Sequence, residues 1–267
     1  MEAIARPTPA QRRRRLIVLG AAIAAVLVPL IQNLAGLGLS QAEFSARGDS
    51  TLRVEGYAFA IWSLIYVGIL AYAIRQVLPQ TPESDIIRRM GWPSVIAFGA
   101  IALWIVAAAL GQQWLTVVLI FTAVLALVVP MIRHAGGIRS ILRTDMDRWL
   151  VVWPLGLLAG WLMIAAPLNL LSAMTATETL PAFLSPDGWA LAAIALVALV
   201  TLGVVARLAL LAIALPVSWG LLGAFVAEQA DNPLVGFAAL AASLIVLIGA
   251  IVIVFQLRPD VVKSARY

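Results

Sequence analysis

The stretch Gly160-Trp161-Leu162-Met163-Ile164-Ala165-Ala166-Pro167-Leu168-Asn169 lies inside the apolar run 149–171, which is long enough to cross a bilayer. Trp161, Ala165 and Asn169 recur every four residues and so share one helix face. An asparagine amide in hydrocarbon is costly unless something hydrogen-bonds to it. The stripe therefore has two readings: a polar edge lining a cavity, or a packing seam in which Asn169 bonds a neighbouring helix. Spacing does not separate them.

Composition sets the broad class. Of 267 residues, 63% are apolar and 12% charged, and the mean hydropathy is +1.02. Soluble domains carry about 25% charged residues, so this reads as a polytopic membrane protein. The net charge of +5 does not point to nucleic acid, because the basic residues flank apolar runs instead of forming one patch. With no cysteine, the chain has no disulfide, thiolate nucleophile or thiolate metal ligand.

Eight apolar runs follow one another: 16–37, 57–78, 92–110, 114–132, 149–171, 188–205, 208–227 and 233–257. Each is near the length of about 20 residues that spans about 30 Å of hydrocarbon. The predicted fold is an all-α membrane helical bundle of about eight transmembrane helices. If the N-terminus is cytoplasmic, 16 of the 18 basic residues fall on the cytoplasmic side, and Arg47 and Arg53 fall outside. The positive-inside rule then predicts a bacterial-type cytoplasmic membrane protein with both termini cytoplasmic. The first run is too long for a signal-peptide core and is read as a retained helix. Gly111-Gln112-Gln113 and Ala206-Arg207 predict very tight turns; Pro216 with Ser218 could break the seventh span, as in a transporter, but no corresponding broken helix is found in the other half.

The catalytic inventory is thin. The single histidine, His134, sits in an arginine-rich loop, and Asp145 and Asp147 are expected to form surface ion pairs with Arg143 and Arg148. No nucleophile–base set, metal-ligand spacing or phosphate loop is present in the sequence, so no catalytic or metal site is predicted. No carboxylate lies deep in a span, which argues against a proton-coupled carrier.

Nine tryptophans remain to be explained. Trp92, Trp114, Trp149 and Trp189 sit at predicted helix ends, where aromatic belts meet headgroups. In the second span Phe59, Trp62 and Tyr66 stand at i, i+3 and i+7 on one face; in the fifth, Trp149, Trp153 and Trp161 precede Asn169 at multiples of four. Two aromatic stripes on different helices can wall a flat apolar ligand, or simply pack together.

The second span, with Gly56, Tyr57, Phe59, Ile61, Trp62, Leu64, Ile65 and Tyr66, resembles the signature of the TspO/MBR family, the tryptophan-rich sensory or translocator proteins. Trp161, Leu162, Ala165, Leu168 and Asn169 are similar to the family's fifth-helix segment, and Trp104 through Trp114 to its third-helix aromatic region. Two positions depart: Arg53-Val54-Glu55 replaces a proline, and Ile164 replaces a phenylalanine. The resemblance implies a five-helix core over 16–171, with a three-helix extension over 172–257 between a basic N-terminus, 1–15, and a tail, 258–267. It implies a porphyrin or other tetrapyrrole ligand, held by Phe59, Trp62, Tyr66, Trp104, Trp161 and Asn169, with the segment 40–55 as a lid and a sensory, regulatory or transport role. The expected partners are the lipid bilayer, a hydrophobic small molecule, and a second copy or another subunit of a membrane complex, with no nucleic acid. The competing readings are a structural subunit of a larger complex and a small-molecule transporter.

Overall fold

Thr8 and Ser84 decide where two of the membrane helices begin. Thr8 accepts a hydrogen bond from the Gln11 N–H while the Gln11 side chain accepts from the Thr8 N–H, a reciprocal cap that starts a helix at Pro9. Ser84 accepts from the Ile87 N–H and starts another at Asp85. Both helices therefore begin seven residues before their apolar runs: the caps make the polar first turns helical, which hydropathy does not report.

The computed structural model describes residues 7–46, 51–78 and 83–257. Arg6, Arg47 and the basic tail residues Arg258, Lys263 and Arg266 lie outside the described residues. Within them run α1 (Pro9–Leu34), α2 (Gln41–Ala46), α3 (Ile61–Val77, led in by a 3-10 turn over Gly56–Ala60), α4 (Asp85–Ala109), α5 (Gln113–Arg133), α6 (Ala135–Ser140), α7 (Trp153–Ala176, led in by a π turn over Arg148–Val152), α8 (Pro186–Leu208), α9 (Leu211–Glu228) and α10 (Pro233–Leu257). All but the short α2 and α6 are long and apolar enough, with their lead-in turns, to cross a membrane, giving eight candidate spans. The protein is a polytopic helical bundle, with no strand among the described residues.

Two turns are sharp. Gly111 takes φ +68° between α4 and α5. Between α8 and α9 the left-handed residue is Ala209, at φ +49°, two residues past the predicted break. Neither Pro167 nor Pro216 interrupts its helix: α7 and α9 run through them, so the seventh span is unbroken. Ser218 instead pairs with Ser243 of α10 at 2.8 Å.

The first five spans close a ring: α1 packs on α3 and α4, α4 on α5, α5 on α7, and α7 back on α3. α9 lies against the outer side of α7, with α8 and α10 packed on it. Lipid tails give helices no hydrophobic reason to associate, so contact relies on small residues that let backbones approach. Gly156 and Gly160 do this on α7. A Cβ on Gly160 would stand 2.2 Å from the Ile213 carbonyl oxygen of α9, and one on Gly156 2.9 Å from Leu210 Cδ2. In consequence α7 is the centre of the molecule, with 72% of its most apolar stretch buried against 28% for α1.

One end of the bundle carries a buried ionic knot. Arg14 and Arg15 of α1 both bond Glu83, and the Arg15 Nη1 donates to the Gln76 carbonyl at 2.9 Å. Arg75 of α3 meets Asp147 at 3.2 Å. The expected surface pairing of Asp147 with Arg143 or Arg148 is thus incorrect. Asp147 is buried and its partner comes from a different span, which local spacing does not reveal. Burial alone would raise the Glu83 pKa, but the hydrogen bonds and charges of Arg14 and Arg15 outweigh it and hold the carboxyl below its ordinary value.

Gly160→Ala is expected to drive α7 and α9 apart and cost about 1–3 kcal/mol, the usual scale of overpacking. Gly203→Ala on α8, where nothing lies within 4 Å of the added atom, is expected to be neutral or mildly stabilising. Thermal melts in detergent compare the two. Because the Glu83 pKa is lowered on folding, its contribution is complete above the ordinary value of 4.5 and fades as pH falls through the folded value. The melting temperature should drop on acidification below about 4.5, and Glu83→Gln should make that drop shallower.

Candidate functional site

Inside the ring, towards the end opposite the ionic knot, lies a partly open cavity of about 100 Å³. Phe59, Trp62 and Tyr66 face it from the lead-in turn and α3, Trp104 from α4, and Trp161 and Asn169 from α7. All six residues singled out in the sequence stand on this one space. Trp62 and Tyr66 are stacked, centroids 5.2 Å apart and planes 22° apart. Trp161 stands edge-on to Phe59 at 6.1 Å and to Trp62 at 6.3 Å. The second and fifth spans thus present their aromatic faces to each other.

The polar edge is built on Asn169. Its Oδ1 accepts the Trp104 indole N–H at 2.9 Å, and its Nδ2 donates to Thr116 Oγ1 at 3.1 Å. The Thr116 hydroxyl donates onward to the Gln113 carbonyl at 2.5 Å. Both readings of the stripe therefore hold together: Asn169 bonds neighbouring helices and also lines a cavity. The amide retains one N–H and one lone pair beyond these bonds. One turn on, the Ser172 hydroxyl oxygen is buried in the cavity wall with no hydrogen-bond partner. Among the described residues no Asp, Glu, Lys, Arg or His lines the space, and no cluster of three metal-ligating side chains of the His, Cys, Asp and Glu types occurs. A lining without ions suits an apolar body with a neutral hydrogen-bonding edge, because an unpaired buried charge is costly.

The roof comes from the segment 40–55, as far as it is described. Phe44 of α2 meets Trp104 edge-on at 5.8 Å, and Leu52 and Val54 also line the cavity. The roof is tied down on three sides. Leu39 N–H donates to the Ala109 carbonyl of α4 at 3.0 Å, where Gly38 sits at φ +67° with room for no Cβ: one would lie 2.3 Å from that oxygen. Thr51 and Thr175 of α7 share a hydrogen bond of 2.7 Å. The third tie is to α9. Arg53 bonds Glu228 and Asp231, its backbone N–H donating to Glu228 Oε1 at 2.8 Å and its Nη2 to Asp231 Oδ2 at 2.6 Å. Glu55 N–H donates to the Gly223 carbonyl at 3.1 Å, and Trp219 Nε1 to the Ala58 carbonyl at 2.9 Å. The hydrogen bond to Asp231 raises the Arg53 pKa, partial burial opposes it, and Glu228 adds to the rise.

Two tryptophans of the fifth-span stripe are elsewhere. Trp149 and Trp153 pair with each other at 5.0 Å, and Trp149 donates to the Arg143 carbonyl. The π turn over Arg148–Val152 breaks the four-residue register between Trp149 and Trp161. Sequence reasoning missed Phe44, Thr116, Ser172 and Gly220. Ser172 was within reach, three residues past Asn169 on the same face. Gly220 carries no signal at all: it lines the cavity because a Cβ there would meet Ile164 Cδ1 at 2.8 Å.

A family model described as TSPO-like protein matches residues 15–252. No curated protein and no solved structure matches the chain. The match begins in α1, passes through every helix of the ring and continues into α10. The chain therefore belongs to the TSPO-like protein family, as a multi-pass membrane protein.

Proposed function

We propose that this protein binds a flat, hydrophobic small molecule in the ring cavity, in a sensory, regulatory or transport role, and that tetrapyrroles are the class to test first. The observation that carries this reading is the convergence of three indoles, a phenol, a phenyl ring and one amide, from α3 and its lead-in turn, α4 and α7, on a single cavity. Flat aromatic ligands gain from offset and edge-on contacts with such rings. The neutral lining favours a ligand whose inserted part is uncharged, so the carboxylates of a porphyrin would remain outside the ring while its macrocycle enters. The cavity, at about 100 Å³, is smaller than the about 300–1,000 Å³ typical of ligand sites, so the described state is the closed one and binding requires a wall or the roof to move. We further propose that the protein sits in a bacterial-type cytoplasmic membrane with the arginine-rich end inside, on the strength of its charge asymmetry.

Titration with protoporphyrin by tryptophan quenching, run beside a melting curve, tests the site. Trp62→Ala should weaken binding by about 1–3 kcal/mol, the scale of one lost stacking face. Ser172→Ala should leave the melt unchanged and alter selectivity among porphyrins, because its hydroxyl has no partner within the protein. Asn169→Leu should lower the melting temperature as well, since it strands the Trp104 N–H at a cost of about 1–3 kcal/mol. No saturable quenching of the wild type by any tetrapyrrole overturns the choice of ligand class. For the orientation, reporter fusions after Tyr267 and within 172–187 should report opposite sides of the membrane; a C-terminus on the outer side overturns the assignment.

A further inference from the structure

Beside the ring cavity runs a second space. Between α1 and α3 lies an open groove of about 420 Å³, lined on the α1 side by Val26, Pro29 and Leu30. Phe59, Trp62 and Tyr66 line both the groove and the cavity, as does Gln41 at the upper end. These three rings form one stripe along the lead-in turn and α3. The body of α3 therefore does not stand between the two spaces; the side chains do. The groove's surroundings are lipid-facing, since Leu27, Leu30, Ile31, Leu64 and Val67 are all exposed apolar residues of membrane spans. On the α1 side, Pro29 removes one backbone hydrogen bond at this level, which marks where that helix yields most readily.

Size gives the two spaces a common purpose. The cavity alone is too small for a flat ligand of several rings, and the groove alone is an open trough. Joined, they fall within the usual volume range of small-molecule sites. We infer that cavity and groove are two halves of one site, divided in the closed state by the Trp62–Tyr66 stack, and that the ligand is a bilayer-dissolved, uncharged-bodied flat molecule that loads sideways between α1 and α3. The stack swings aside to admit it and then provides the ring face against which it lies. This rests on the ligand-binding reading above and adds to it a source and a route: the bilayer, not the water above the roof.

The chain has no cysteine, so a single thiol can be placed at will. Leu30→Cys puts one in the groove; Leu199→Cys puts one on the lipid face of α8, where Leu199 is 71% exposed. Each variant is purified folded, labelled with a bulky maleimide, reconstituted in phosphatidylcholine vesicles and given protoporphyrin already dissolved in the bilayer. The rate of tryptophan quenching is read. The label at position 30 is expected to slow uptake about tenfold or more relative to the label at 199, and unlabelled Trp62→Ala is expected to take up and release the porphyrin faster than wild type. Equal uptake with the two labels, while binding persists, overturns the lateral route and leaves the ligand-binding reading intact. Absence of saturable quenching in the unlabelled protein overturns that reading, and the route with it.

Discussion

The close approach of α7 to α9 at Gly160 is the constraint from which the rest follows. In hydrocarbon, two helices gain little by hiding apolar surface from each other, so their contact depends on how near their backbones can come. With a glycine facing the Ile213 carbonyl, α9 seats against the centre of the molecule. That seating carries Gly220 to the cavity wall, Gly223 to within reach of Ala58 and Val54, and Trp219 and Glu228 to the roof. The three C-terminal spans are therefore not an appendage to the ring, because α9 holds part of the structure that closes the site.

Polar groups are treated with the same economy. Each one taken into the bundle costs free energy unless it is partnered. Tyr72 pairs with Ser94, Ser218 with Ser243, and Asn169 with Trp104 and Thr116. The Ser172 hydroxyl lacks such a partner, as do Trp153 Nε1 and Thr201 Oγ1, and of these three Ser172 alone lines the cavity.

Most of the fold was legible because a bilayer demands it: long apolar runs between basic loops have few alternatives to spanning helices. The first turns of α1 and α4 were not, since capping by Thr8 and Ser84 is a local hydrogen-bonding matter invisible to hydropathy. The aromatic wall was legible at Trp62, Tyr66 and Trp161, where unbroken helical periodicity translates spacing into a face. It failed at Trp149 and Trp153, where a π turn intervenes. The pairing of Asp147 with Arg75 and the contribution of α9 were out of reach for one reason. Each depends on which distant segments meet, and a glycine or a lone carboxylate does not announce its partner.

The roof shows how the site deals with charge. Leu52 and Val54 line the cavity, and the residue between them, Arg53, is directed instead to Glu228 and Asp231 of the far wall. Arg53 is absent from the described cavity lining and is paired with two carboxylates. A ligand carrying its own carboxylates would have to compete with Glu228 and Asp231 for that guanidinium and would meet no cation among the described lining residues. Leu52 and Val54 make the described inner face of the roof apolar, which under the proposed ligand-binding reading favours an uncharged inserted body. The Arg53 contacts fasten the roof to α9, so that on the proposed lateral route the roof stays in place and only side chains on the α1–α3 side move.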